Sequence, residues 1–275
     1  MKKILKYSVL VVLGTAIAIG VYACFIEPFR LVVTEYTVKT DKWNSDKPLK
    51  IVVLADAHAV SPWMTEAHLN RVVEKANGLN PDIVLLLGDY VATHKFGTQL
   101  KPDDGVRPYQ NLKPACGTFA VLGNHDLHHS VGWPEALART GIPILQNDLK
   151  EIKCHGQSFA VAGVEDLWWG HTDIEKAISS ADKTSPIILM MHNPDSFPVT
   201  PSRVALSVAG HTHGGQIRLP VIGAITAPSR YGVRYARGQF HENGNDLVVS
   251  SGLGMSVLPV RFLCPPEITV IYLER

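Results

Sequence analysis

Five separate apolar runs in this chain end on residues that bind metals or move protons. This repetition constrains the fold more than any other feature. "LKIVVLAD" (Leu49–Asp56) leads into Asp56 and His58, and "DIVLLLGD" (Asp82–Asp89) ends on Asp89. "GTFAVLGNHD" (Gly117–Asp126) delivers Asn124, His125 and Asp126. "SPIILMMHN" (Ser185–Asn193) delivers His192, and "RVALSVAGHTH" (Arg203–His213) delivers His211 and His213. Continuous apolar runs of this length, bounded by polar turns, read as strands buried on both faces. In α/β proteins, sites collect beyond the carboxyl ends of such strands, so the five endings are expected to converge.

Between the first two runs, Thr65 is placed to cap a helix. Leu69, Val72, Val73, Ala76 and Leu79 then fall on one face, and Gly78 lies near the end. "NDLVVSSGLG" and "PEITVIYLE" are expected to be late strands. Strand–helix alternation in the first half, with more strands in the second, defines a mixed α/β class. In "GHTHGGQI", residues i and i+2 of an extended chain point to opposite sides, so the glycines are expected to bend the backbone and turn both rings inward.

The N-terminus is of another composition. Behind "MKKILK" runs an uncharged stretch of 20 residues, Tyr7 to Ile26, which as a helix spans roughly 30 Å, the thickness of a bilayer core. It is longer than the ~7–15 apolar residues of a signal peptide, which favours an uncleaved anchor over cleavage at "AIAIG". "VYAC" matches a lipoprotein box poorly because of Tyr22. The expected organisation is a stub at 1–6, a transmembrane anchor at 7–26, a strand ("LVVTEYTVKT") and linker at 27–48, and a single domain carrying the five motifs at 49–275. Lys2, Lys3 and Lys6 crowd the N-terminal side, which is expected to leave that end in the cytoplasm and export the body.

Charge and cysteine content remove other classes. Lys and Arg total 26 against 25 Asp and Glu, so the chain lacks the basic surface of a nucleic-acid-binding protein. Beyond Cys24, the body holds Cys116, Cys154 and Cys264. This odd, scattered set carries no C-x-x-C spacing and reads as buried free thiols.

Carboxylate, amide and imidazole donors together suit Mn, Fe or Zn and fit poorly with the all-oxygen shells of Ca and Mg. The donors outnumber the needs of one ion. Two ions ~3.5–4 Å apart polarise a phosphoryl group and supply a hydroxide for in-line attack, and a spare histidine can protonate the leaving oxygen.

The ordered set D-x-H, G-D, G-N-H-D, H and G-H-x-H resembles the calcineurin-like metallophosphoesterases. The strings "AVLGNHD", "MHNPD" and "GHTHGGQI" resemble a branch of bacterial membrane-associated phosphoesterases related to the chlamydial type of UDP-2,3-diacylglucosamine pyrophosphatase. The resemblance implies a two-sheet β-sandwich flanked by helices and two divalent metal ions. It places Asp56, His58 and His213 on the first ion, and Asn124, His192 and His211 on the second, with Asp89 bridging. His125 becomes the proton donor and Asp126 the residue that orients its ring. Ala57 stands where the branch often carries a larger apolar residue, at a spacer position.

The implied activity is a metal-dependent phosphodiesterase of unspecified substrate, and the anchor favours a substrate at or near the membrane, such as a lipid-linked phosphodiester or pyrophosphate. Pyrophosphate cleavage in lipid A synthesis is the alternative, and a tethered non-catalytic metal-binding protein is the reading of another class. Around the motifs, Trp63 and Met64 are candidates for an apolar rim or for core packing. His94 and Lys95 are candidate phosphate contacts, His128 and His129 follow the G-N-H-D motif, and Arg230, Arg234 and Arg237 are candidate anion contacts or surface charges. Trp168 and Trp169 are candidates for a membrane interface or for stacking on a base.

Overall fold

The apolar runs pair into two sheets packed face to face. The structure, a computed structural model, describes residues 2–91, 96–128 and 131–275. His94, Lys95 and His129 lie outside the described residues.

The strands, in chain order, begin with β1 (Val32–Lys39), β2 (Leu49–Leu54), β3 (Ile83–Leu86) and β4 (Thr118–Ala120). They continue with β5 (Asp148–Cys154), β6 (Gln157–Gly163), β7 (Ile187–Met190) and β8 (Val204–Ala209). The last three are β9 (Gly238–Glu242), β10 (Asn245–Val249) and β11 (Glu267–Glu274). One sheet has the order β1-β11-β2-β3-β4, and the other β9-β10-β8-β7-β6-β5. β2, β3 and β4 run parallel in the first sheet, as do β6, β7, β8 and β10 in the second. Their carboxyl ends are therefore where the expected ligands emerge.

The burial explains why the runs are continuous. Ile51, Val53, Ile83 and Leu85 face the other sheet and meet Phe159, Val161, Ile188 and Leu206. Val52, Leu54, Val84 and Leu86, one residue out of phase, face the helix α2 (Glu66–Gly78) and its Leu69, Val72 and Val73. Alternate side chains of a central strand thus enter two different cores, so no polar alternation survives. The second sheet is covered in the same way by Ile174, Ala177 and Ile178. The Thr65 hydroxyl accepts the His68 amide at 3.2 Å, capping α2.

The fold adds several features that the sequence did not show. Cys116 and Cys154 form a disulfide, with Cα atoms 5.6 Å apart. It links the segment entering β4 to the end of β5 and so joins the two sheets. Spacing gave no hint of it, because the partners are 38 residues apart and meet only once the sheets pack. Cys264 is buried and free, as read from sequence. The β5–β6 hairpin and β9 went unread. In β5 the half-buried residues fall at Leu149 and Ile152, off the strict alternation of a strand, and the turn at His155-Gly156 takes positive φ at both residues. Trp63 and Met64 are no rim: both are buried, and the Trp63 indole N–H donates to the Cys24 carbonyl at 3.0 Å.

The N-terminal helix α1 (Lys2–Phe25) is long and apolar enough to cross a membrane, and little of it is covered by the rest of the chain. Its foot is fastened to the domain. The Arg261 amide donates to the Ala23 carbonyl at 3.0 Å, and the buried Glu27 carboxylate accepts the amides of Leu263 and Cys264. β1 follows at once and pairs along its whole length with β11.

Candidate metal centre

Each ligand arrives on a strand end that has been cleared for it. A Cβ on Gly88 would lie 2.3 Å from the Gly123 nitrogen, so the exits of β3 and β4 approach this closely only because both residues are glycine. A Cβ on Gly210 would fall 2.7 Å from Asp56 Oδ2. The glycines before Asp89, Asn124 and His211 are a spatial requirement of the cluster.

Five of the expected ligands have positive φ: Asp56 (54°), His58 (44°), Asp89 (54°), His211 (71°) and His213 (52°). Such conformations are uncommon outside glycine and concentrate at functional sites. The bend of "GHTHGG" therefore lies in the histidines themselves as well as in Gly214 and Gly215.

The structure brings all seven expected ligands together. Asp56, His58, Asp89 and His213 offer donor atoms within 4.8 Å of one another, and so do Asp89, His192 and His211. Asn124 Oδ1 lies 3.0 Å from His192 Nε2. Asp89 belongs to both groups, its Oδ2 being 3.5 Å from His58 Nε2 and 3.4 Å from His192 Nε2.

Backbone carbonyls set the imidazole tautomers. His58 Nδ1–H donates to Val91 O at 2.8 Å and His192 Nδ1–H to Leu87 O at 2.7 Å, which turns each Nε2 inward. His58 Nε2 then confronts His213 Nε2 at 3.0 Å, and His192 Nε2 confronts His211 Nδ1 at 3.1 Å.

The charges point the same way. Burial pushes His58 down to about 3. Burial, followed by the neighbouring His192, does the same to His211. Burial and His58 hold His213 well below the imidazole range. These three rings are neutral at pH 7, the state a ligand needs. Burial alone would raise Asp89, but the charge and hydrogen bond of His192, then His58 and His125, hold it well below the usual carboxylate range. Burial opposes protonation of His192, yet Asp89 and then Asp56 lift it to about 10. The space between Asp89 and His192 thus favours a positive charge. Two carboxylates, four imidazoles and an amide oxygen, all buried, fit a pair of borderline divalent cations.

His125 stands apart from this set. Its side chain is 18% exposed, with Nε2 3.9 Å from Asp89 Oδ2 and its ring edge-on to His58. Its backbone amide donates to Asp89 Oδ1 at 2.9 Å. From sequence, Asp126 is expected to orient the His125 ring. In the structure, the Asp126 carboxylate accepts the backbone amides of Asp89, Tyr90, Val91 and Gly123 at 2.7–3.2 Å. It fixes the loop that carries Asp89, a positioning task. Burial and then the Asp89 charge press its pKa upward, and the amide donors oppose this.

Arg261 and Glu27 were not read as site residues. The fully buried Arg261 guanidinium donates to the carbonyls of Ser251, Gly252, Gly254 and Cys264 at 2.6–3.1 Å. It thereby shapes the loop behind Asp56. Their only sequence signals were a lone arginine in "PVRFLCPP" and the first acid after the apolar run.

The centre forms the floor of a cavity of about 530 Å³ whose walls include Trp168, Ile217, Ile225, Pro228, Val257 and Leu258. Trp168 sits edge-on to His211, with ring centroids 4.4 Å apart, and Trp169 stacks on His128. Arg230 and Arg234 are engaged by Asp195 and Glu242.

Gly123 offers a direct check on this packing, because an added Cβ would lie 2.3 Å from Asp89 Oδ1 and 2.7 Å from His192 Cε1. Gly123→Ala is expected to lower kcat/KM by about a hundredfold, the scale of a misplacement near 1 Å in a reacting site. Steady-state hydrolysis of a chromogenic diester measures this.

Sheets, ligands and cavity together define a metallophosphoesterase, and comparison with known proteins agrees. The family model for calcineurin-like phosphoesterases matches residues 49–215, and this chain belongs to that family of hydrolases. It is similar to the uncharacterised metallophosphoesterase YkuE of Bacillus subtilis, 32% identical over 262 residues that cover 92% of this chain and 89% of that one. It is also similar to the phosphodiesterase YaeI of Escherichia coli, 32% identical over 233 residues covering 82% of each. A Danio rerio transmembrane protein with a metallophosphoesterase domain is 30% identical over 82% of this chain, which spans 53% of that relative. Among solved structures, the Thermus thermophilus sulfate thiohydrolase SoxB shares the fold, with a TM-score of 0.51 at 9% identity over 84% of this chain and 57% of that one.

Proposed function

We propose that the chain is a membrane-anchored phosphodiesterase that uses two divalent ions on a substrate held close to the bilayer. The observation that carries this reading is Asp89, whose single Oδ2 lies within 3.5 Å of an imidazole nitrogen of each ligand group. Asp56, His58 and His213 would hold one ion and Asn124, His192 and His211 the other, with Asp89 available to both. When bound, such a pair polarises the phosphoryl group and lowers the pKa of water to the neutral range.

The chain's own residues do the rest. Trp168 and the apolar walls exclude water from the reacting group. His125 lines the cavity and is the most accessible of the site's imidazoles, so its Nε2–H is placed to protonate the departing oxygen. Asp126 keeps Asp89 in register from behind.

The disulfide supports an exported domain, since such bridges persist in oxidising compartments. That side of the membrane, which agrees with the lysine pattern, disfavours a UDP-sugar lipid met in the cytoplasm and places the diesterase reading ahead of lipid A pyrophosphate cleavage.

The test is hydrolysis of bis-p-nitrophenyl phosphate by the Mn-loaded full-length chain. On a diester with an alkoxide leaving group, which needs the proton, His125→Ala is expected to lower kcat by about 10²–10⁴-fold with the metal content unchanged, and by much less on bis-p-nitrophenyl phosphate, whose phenolate leaves without it. Metal-loaded wild type that cleaves no diester, monoester or pyrophosphate would overturn the proposal.

A further inference from the structure

The surface around the cavity mouth is unusual for a water-facing one. A short hairpin, Arg218–Leu219 paired with Gly223–Ala224, carries Val221 at its tip, fully exposed, and Ile222, 73% exposed. Beside it, Val257 and Leu258 are 76% and 49% exposed and also line the cavity.

These segments are tied to each other and to the foot of α1. The Arg218 amide donates to Phe262 O at 2.9 Å, and the next link is the bond from the Arg261 amide to Ala23 O. Phe262 meets Tyr22 of α1 edge-on, with ring centroids 6.3 Å apart. Exposed Phe25 and Ile26 at the foot of the helix, and the exposed apolar tips of the two loops, are thus carried on segments bonded to one another. Contiguous exposed apolar surface marks an interaction site. Here it continues a helix of membrane-spanning length, and one occupant covers both without a seam.

We propose that this collar is a second membrane contact. Val221, Ile222, Val257 and Leu258 sit in the lipid interface, and the cavity opens at the bilayer surface. It takes an amphiphilic phosphodiester whose apolar part stays in the lipid. The inference rests on the phosphodiesterase reading for its substrate and on α1 crossing the bilayer for its geometry.

The full-length, Mn-loaded chain in phosphatidylcholine–phosphatidylglycerol nanodiscs tests both halves. With brominated acyl chains, Val221→Trp is expected to add a quenched component to the emission of the five native tryptophans. Lys183→Trp, on the turn entering β7 at the opposite end of the sheet, adds an unquenched one. An unquenched tryptophan at 221 overturns the membrane contact, including the case where a second copy of the chain covers the collar.

For the substrate, Val221→Asp/Ile222→Asp is expected to hydrolyse soluble bis-p-nitrophenyl phosphate within about twofold of wild type. On a fluorogenic lipid phosphodiester in the same disc it slows by about tenfold or more, the scale expected for withdrawing two apolar side chains from lipid. Equal effects on both substrates, or none on the lipid, overturn the substrate half. Wild type inactive on both overturns the phosphodiesterase reading and the substrate half with it, and the quenching result then decides the collar alone.

Discussion

Asp89→Asn is expected to lower kcat/KM on a phosphodiester by about a thousandfold or more, the largest loss of any single substitution in the centre. The change keeps the shape of the side chain and removes its charge. Asp89 Oδ2 faces His58 on one side and His192 on the other, and Oδ1 receives the His125 amide, so all three partners lose their common reference. A metal pair supplies several kcal/mol of transition-state stabilisation, and each ~1.4 kcal/mol is a factor of ten in rate. Metal analysis should show fewer than two ions per chain, with the fold intact by circular dichroism. A variant that keeps two ions and wild-type turnover would refute the shared-ligand reading.

Arg261→Met is expected to cost about 3–5 kcal/mol of stability, the scale for breaking a buried charged network by removing one partner. Arg261 is fully buried, and its donors reach four carbonyls of the loops at 251–254 and 264. Methionine fills similar space and removes the donor from the Ser251, Gly254 and Cys264 oxygens, while Gly252 O keeps the Glu267 amide, and Glu27 and Glu267 lie buried nearby. Arg261→Lys is expected to rescue little, because one ammonium cannot match the planar fork of donors. Urea unfolding of the metal-free chain measures both, and a loss under about 1 kcal/mol for the methionine variant would contradict the role.

The strands that carry ligands were legible because their two-sided burial leaves an uninterrupted apolar run with a polar stop, as in "DIVLLLGD". The centre was legible for the same reason, each ligand being the stop itself. The Cys116–Cys154 bridge was not, since the pairing depends on two sheets meeting face to face. Arg261 was hidden for a related reason. An arginine in a short segment reads as surface, and only the fold reveals the ring of carbonyls that makes its burial tolerable. Asp126 was found beside the metal-binding residues, but its bonds to the amides of Asp89, Tyr90 and Val91, more than 30 residues away in sequence, became visible only in the fold.

The positive φ at Asp56, His58, Asp89, His211 and His213 sets the terms on which this chain can change. Each such non-glycine position costs on the order of 1–3 kcal/mol, and together they rival the whole net stability of an ordinary domain. Glycine at any of them would relax the backbone while deleting a ligand. Selection for a sturdier fold and selection for a working centre therefore pull these five positions in opposite directions. Stabilising variants of this protein are best sought in the outer helices and loops.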